Sequence, residues 1–497
     1  MSAPADSTTA HSTTSVVTSP VGSLTGKLGT TSIVFMVVAA AAPLTVIGGA
    51  APLGMLLGNG VGFPALYAIS GVILLLFAVG LAAMTRVVPR PGAFFTYIGY
   101  GLGNRMGLAA AFLALLTYTT IQVSVYGYLG YILELTFTGL GAPSIPWWIW
   151  SLTMVAAVGV LGYRHIDVSS KVLGVLLLGE IGIVLLLVLV VVVTGGADGL
   201  SFTSFEPAQV TSGSPAIGLM FAIAAFIGFE ATAIFRDEAR DPEKTIPRAT
   251  YAAVIGVGLF YTVASWGLIM AWGPDKIMAA VAEDPGGLIL RTTERYLGSS
   301  GEVVVNVLLI TSMFACVLSF HNVLARYQHS MAGVGALPSG LGRVHHSHLS
   351  PHTSSFAQTI TGGVLVLLSG VLGLDPVLEV FTWFSGVATL AIAVLMAVTS
   401  IAVIVWFSRS TAPRSIWRTV VAPSLGLVGL VVAALAIGAN FPMLVGDVDA
   451  AGVPRWGALS LGLVGLVLIL PAIGWVQGTV MKQVRPQAYE RLTDSLT

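Results

Sequence analysis

The sequence predicts an all-α integral membrane protein of twelve transmembrane helices, two of them broken in mid-span at matching places. Three observations carry that prediction. Of the 497 residues, 56% are hydrophobic and 9% charged, whereas a soluble globular chain is typically about 25% charged. Apolar runs recur along the whole chain, each near the roughly 20 residues that a helix needs to cross a hydrocarbon core of about 30 Å. Finally, "TVIGGAAP" in the first run and "FAIAAFIGFEATAIF" in the sixth place glycine, and in the first case proline, in the middle of a segment that would otherwise be regular helix.

The runs lie at roughly 31–58, 61–85, 103–136, 147–161, 171–194, 214–235, 249–272, 303–329, 357–373, 377–407, 418–438 and 457–477, the fourth and ninth being short. Mean hydropathy over the chain is +0.91. Residues 1–26 are rich in Ser and Thr without an apolar stretch, which reads as a disordered polar tail and not a cleaved signal peptide. The expected organisation is that tail, a first five-helix repeat over 27–194, a second over 195–408, two additional helices over 409–480 and a C-terminal tail over 481–497. With the N-terminus inside, seventeen of the 22 Lys and Arg fall on the cytoplasmic side. The positive-inside rule then predicts cytoplasmic ends in the cell membrane.

Two loops differ from the short connections elsewhere. Residues 273–300 are numerous enough to hold a short external helix over the mouth of the protein, and "RDEARDPEKTIPR" (236–248) mixes both signs of charge. That charge run reads either as a solvated face or as part of a gate. Formal net charge is zero, so nothing suggests nucleic acid as a partner. Cys316 is the only cysteine, so no disulfide can form within the chain.

The first and sixth spans break five spans apart, as a five-plus-five repeat requires. Glycine supplies irregular backbone cheaply, and Pro43 and Pro52 each lack an N–H. Within hydrocarbon, irregular backbone is tolerated only where it is buried in protein or lines a cavity. Freed amides can then receive a carboxylate and freed carbonyls an ammonium. The alternative for Gly48 and Gly49 is close helix packing, common for small residues in membrane helices.

Ionisable groups deep in a span are costly, about 2.5 to 3.5 kcal/mol on insertion scales, and so are functional candidates. Glu230 follows the Gly228 break, Glu180 lies mid-way along the fifth span, and His321 with Asn322 lies in the eighth. Desolvation disfavours the charged form of a carboxylate, so such a group can bind a proton and link its loss of charge to transport. Each also has a structural reading: Glu230 holding the break by bonding backbone amides, Glu180 bonded to a neighbouring helix, His321 a packed and satisfied ring. Thr311 and Ser312 could ligate sodium, although such hydroxyls usually bond their own helix. The four histidines of "HHSHLSPH" (345–352) lack a nearby Cys or carboxylate, so no metal and no cofactor is expected.

At "GFEATAIFRDEARDPEKTIPRATYAAV" (228–254) the sequence resembles the amino acid, polyamine and organocation (APC) transporter superfamily. The family's Gly-[Phe/Val]-Glu, second Glu, Asn/Asp-Pro, Lys and Ile-Pro correspond to Gly228, Phe229, Glu230, Glu238, Asp241-Pro242, Lys244 and Ile246-Pro247. "VIGGAAP", "PRPGAFFTYI" (89–98) and "ARYQHSMAGVGALP" (325–338) match further motifs, in family order across spans one to eight. The resemblance implies a five-plus-five inverted-repeat, APC/LeuT-like fold with discontinuous helices 1 and 6, two extra C-terminal helices and alternating access. It implies that a substrate carboxylate meets the backbone of Ile47, Gly48, Gly49 and Ala50, and an ammonium the carbonyls around Phe226, Ile227 and Gly228. It also places His321 where members have a substrate-facing side chain. Two departures stand out: Gly49 replaces the family's turn Ser, and Glu180 falls about where several proton-coupled members carry a Lys.

The expected function is secondary transport of an amino acid or related amine, with a proton as coupling ion or by exchange. Partners are therefore that small molecule, the proton and the lipid bilayer. Gln122 and Tyr118 are polar enough to line the pocket, and Phe221, Phe226 and Phe229 can act as hydrophobic gates. With Glu180 and Glu230 but no Lys or Arg at the membrane centre, a neutral or cationic substrate is predicted. An amine permease of polyamine or ethanolamine type is the nearest alternative. A channel or non-transporting sensor is the alternative of another class, whereas a membrane enzyme would need a nucleophile with its base, or facing metal ligands, that the spans do not supply.

Overall fold

A computed structural model describes residues 28–88, 94–164, 170–344, 350–411 and 415–490, together with Leu492. The N-terminal tail, residues 89–93 of the second-span motif and His345, His346 and His348 lie outside the described residues. The described chain is helical, with two isolated β-bridges and no extended strand.

Among the described residues, ten helical stretches are long and apolar enough to cross a membrane, and Trp147–Tyr163 is a shorter apolar one. The first predicted span is split into α1 (Thr30–Ala40) and α2 (43–59). The backbone leaves the helical region at Gly58 (φ −99°, ψ −120°) and Gly60 (φ 59°), and after Gly60–Gly62 the chain continues as a separate helix, α3 (Phe63–Val87). Then come α4 (Phe94–Leu102), α5 (Asn104–Gly139), α6 (Trp147–Tyr163), α7 (Ser170–Thr194) and α8 (Pro215–Ala224). The 3₁₀ segment Phe229–Glu238 follows α8. The second half continues with α9 (Pro242–Trp272), α10 (Ile277–Glu283), α11 (Leu288–Gly333), α12 (His352–Val371), α13 (Pro376–Arg409), α14 (Trp417–Ala439) and α15 (Ala458–Val484). Proline stands in the first turn of α2, α3, α8, α9 and α13, where its missing N–H has no intrahelical partner to lose.

The 273–300 segment holds α10 and, within α11, a first section that ends at Gly298, whose φ of 72° interrupts the helical backbone. The short helix expected over the mouth is thus two helices. In this segment Arg291 pairs with Glu283 at 2.7 Å.

Among the spans of membrane length, α5 is the most buried and α15 the least. α5 packs on α4, α11, α13 and α15, and α3 packs on α9 and α14. Where the two broken spans cross, a Cβ on Gly58 would lie 2.7 Å from the Gly218 Cα. That approach brings α2 against α8 and sets both breaks beside one central space. Leu185, Leu259 and Val432 are among the large apolar side chains left exposed on the outer surface, as hydrocarbon surroundings require.

Candidate functional site

The first break is at Ala41–Ala42 and not at Gly48–Gly49. Proline disfavours right-handed helix in the residue before it, and Ala42, which precedes Pro43, has φ 48° and ψ 70°. A left-handed alanine is strained by about 1–2 kcal/mol. Ile47, Gly48, Gly49 and Ala50 continue as helix in a widened π turn, Val46–Ala50. The expected unwound backbone there is therefore corrected: glycine permits a break, but the proline six residues upstream of Gly49 enforces one. Both glycines instead receive a ring. A Cβ on Gly48 would stand 2.7 Å from the Tyr128 hydroxyl, and one on Gly49 would stand 3.0 Å from Tyr128 Cε1.

The sixth span breaks where expected. α8 stops at Ala224, the chain turns through Ala225–Gly228, and Gly228 has φ +112°, a conformation that side chains rarely adopt. Glu230 folds back on this turn. Its Oε2 accepts the Gly228 N–H at 2.9 Å and its Oε1 accepts the Tyr118 hydroxyl at 2.6 Å. Among the described residues no donor reaches the carbonyls of Ala225 and Ile227.

Both breaks open on one small cavity of about 40 Å³. From the first break come Ala41, Ala42, Thr45, Val46 and Ala50, and from α8 and its turn Phe221, Ala224, Ala225 and Ile227. The other walls are Ile121 and Val125 of α5, Cys316 and Phe320 of α11, and Phe381 and Ser385 of α13. The buried Thr45 hydroxyl has no hydrogen-bond partner among the described residues. Amides in the first turn of a helix lack intrahelical acceptors and carry a partial positive charge. One of them, Leu44 N–H, donates to Glu180 Oε2 at 3.3 Å, and Ser312 Oγ donates to the same oxygen at 2.8 Å. Glu180 thus joins α7 to the start of α2 and to the middle of α11.

Of the residues singled out earlier, Ala50, Ile227 and Phe221 line the cavity. Phe226 packs against Tyr261 and Phe229 against Phe77. Gln122, expected in the pocket, points to another side of α5: its amide donates to Val317 O and its carbonyl accepts from Gln358, both at 2.9 Å. His321 is likewise displaced. Its Nε2 lies 2.8 Å from Ser355 Oγ of α12, and its ring packs on Gly162 of α6. One step along a helix turns a side chain by about 100°, so Phe320 faces the cavity and His321 does not. The Thr311 and Ser312 pair is split, since Thr311 donates to Val307 O of its own helix. No group of three or more His, Cys, Asp or Glu that could hold a metal occurs among the described residues.

Sequence reasoning missed Thr45, Ile121, Val125, Phe320, Phe381 and Ser385. A signal existed: Ile121 with Val125, Cys316 with Phe320 and Phe381 with Ser385 are i, i+4 pairs, each on one helix face. That spacing alone does not distinguish a cavity face from a packed one.

The family model described as "Amino acid permease" matches residues 33–489. The chain belongs to the amino acid permease family. Relatives similar in sequence include the aspartate-proton symporter of Bacillus subtilis, 25% identical over 39% of this chain and 38% of that protein. A probable GABA permease of Pseudomonas aeruginosa is 26% identical over 67% of the chain and 70% of the relative. The branched-chain amino acid permease BcaP of B. subtilis is 24% identical over 68% and 73%. The structure superposes on the Eremococcus coleocola manganese transporter with a TM-score of 0.59, covering 96% of this chain and 99% of that one at 13% identity. At that identity the likeness shows the fold alone, which is of the APC type. The permease is accordingly a multi-pass membrane transporter.

In the permease a second contact set closes over Gly48. Tyr128 donates to Gly286 O at 2.9 Å and Tyr131 to Asp284 Oδ1 at 2.6 Å, tying α5 to the turn after α10. Tyr128 also meets Phe381 edge-on, with ring centroids 5.5 Å apart. At the other end of the first span, Arg240 N–H donates to Leu28 O at 2.9 Å.

Proposed function

We propose that the permease is a secondary transporter for an amino acid or related amine, working by alternating access with a proton as the coupled ion. Its proposed setting is the cell membrane with both termini cytoplasmic, a placement supported by the distribution of Lys and Arg. The observation that carries the reading is the hydrogen bond from Leu44 N–H to Glu180. It puts a buried carboxylate on the first turn of the half-helix that borders the cavity.

An ionised Glu180 occupies the partial positive charge at the start of α2. A proton on Glu180 removes that competing charge and weakens its hold on the Leu44 amide. The same helix end then favours a substrate carboxylate in the cavity. Proton and substrate bind with positive coupling, which is reciprocal by linkage. Because Glu180 also holds Ser312, its change of charge acts on α2, α7 and α11 together, the helices that must move apart or together in alternating access. Glu230, by contrast, has both oxygens engaged in the turn, and its proposed role is to keep the sixth-span break in shape.

Purified protein in proteoliposomes tests the reading. Saturable, concentrative uptake driven by an inward proton gradient is expected for at least one amino acid or amine. Flux that rises linearly without saturation would indicate a channel, and ligand binding without flux a sensor.

A further inference from the structure

Of the fifteen residues that line the cavity, twelve are Ala, Val, Ile or Phe, and the remaining three, Thr45, Cys316 and Ser385, are neutral. Neither intramembrane carboxylate belongs to the lining. Glu180 Oε2 is held by Leu44 and Ser312, and Glu230 has one oxygen on Gly228 and the other on Tyr118. The Ser385 hydroxyl donates to Thr382 O. Among the described residues, what remains for a ligand is one unpartnered hydroxyl, that of Thr45, together with the carbonyls of Ala225 and Ile227 and, in the first turn of α2, the Thr45 N–H, since Pro43 has none and those of Leu44 and Val46 are bonded to Glu180 and Ala42 O.

We infer that the substrate is a small α-amino acid with a neutral apolar side chain, and that cationic amino acids, polyamines and acidic amino acids are rejected at this site. The inference rests on the reading of the chain as an amino acid transporter and narrows it. The polar groups suffice for one carboxylate, at Thr45 and the start of α2, and one ammonium, at the two carbonyls. A second charge would be buried unpaired, which is strongly unfavourable. The rings of Phe221, Phe320 and Phe381 attract a cation weakly through their faces, but no carboxylate accompanies them. The side chain must be compact, because the phenyl rings of Phe221, Phe320 and Phe381 bound the cavity.

Two measurements on the full-length protein test this. In proteoliposomes, uptake of labelled alanine is compared with that of lysine, putrescine, aspartate and tryptophan. Cys316 is the only cysteine and lines the cavity, so maleimide labelling reports occupancy without any variant. Alanine is expected to saturate uptake and to slow labelling at least tenfold, with the other four doing neither. Saturable uptake of lysine, putrescine, aspartate or tryptophan at a rate comparable with alanine overturns the inference and leaves the transporter reading standing. Absence of saturable uptake, with no protection of Cys316, for a full panel of amino acids and amines overturns the transporter reading itself. Ser385→Asp adds a carboxylate to the wall and is expected to raise lysine uptake at least tenfold. If that variant does not fold, Phe320→Ala replaces it, with an expected tenfold gain in uptake of leucine relative to alanine. A folded variant that shows no such shift in preference counts against the inference.

Discussion

Glu230 shows how one side chain can be legible from sequence in position and ambiguous in role. Its place after Gly228 marks the break, and its bonds to the Gly228 amide and the Tyr118 hydroxyl complete it. Tyr118→Phe leaves one buried carboxylate oxygen without its donor, for a loss of about 1–3 kcal/mol. The expected result is a lower melting temperature in detergent, with transport retained at reduced rate; an unchanged melting temperature would show the bond to be dispensable. For Glu180→Gln the expectation is loss of pH-dependent accumulation while substrate still protects the protein thermally. Unchanged pH dependence would remove Glu180 from coupling. His321 and Gln122 mark the limit of such reading. Their residue types invite a pocket role, but azimuth around a helix is set by packing partners, here Ser355 and Gln358, that no local pattern announces.

Among the elements, the first span is the most instructive. "VIGGAAP" looked like the break, yet Pro43 fixes it at Ala42, and the glycines serve to admit the Tyr128 ring. Those glycines therefore connect α2 to the turn after α10 through the Tyr128 bond to Gly286. Gly48→Ala forces the Tyr128 hydroxyl to move, since the new Cβ would stand 2.7 Å from it. A transport rate lowered by about tenfold is expected, equivalent to about 1.4 kcal/mol. Tyr128→Phe in the same chain removes the clashing oxygen and is expected to restore part of the rate. Additive losses in the double variant would show that the two residues act separately.

At the scale of the whole molecule, orientation gives a direct test. In a Cys316→Ser background, a cysteine at Asp275 is expected to react with a membrane-impermeant maleimide on intact cells, and one at Arg343 only after permeabilisation. The reverse pattern would invert the proposed topology. The all-helical membrane class and the presence of broken first and sixth spans were readable in one dimension, because hydrocarbon leaves a chain few options beyond apolar helices of fixed length. The identity of the intramembrane carboxylates was readable for the same reason, since charge is rare there. Which faces enclose the cavity was not, because α5, α11 and α13 are apolar on several sides and only their mutual packing selects Ile121, Phe320 and Phe381 for the wall. The same holds for Leu44 and Glu180, 136 positions apart: hydrophobicity places each in a span, but the meeting of a freed amide with a carboxylate depends on three helices packed at once.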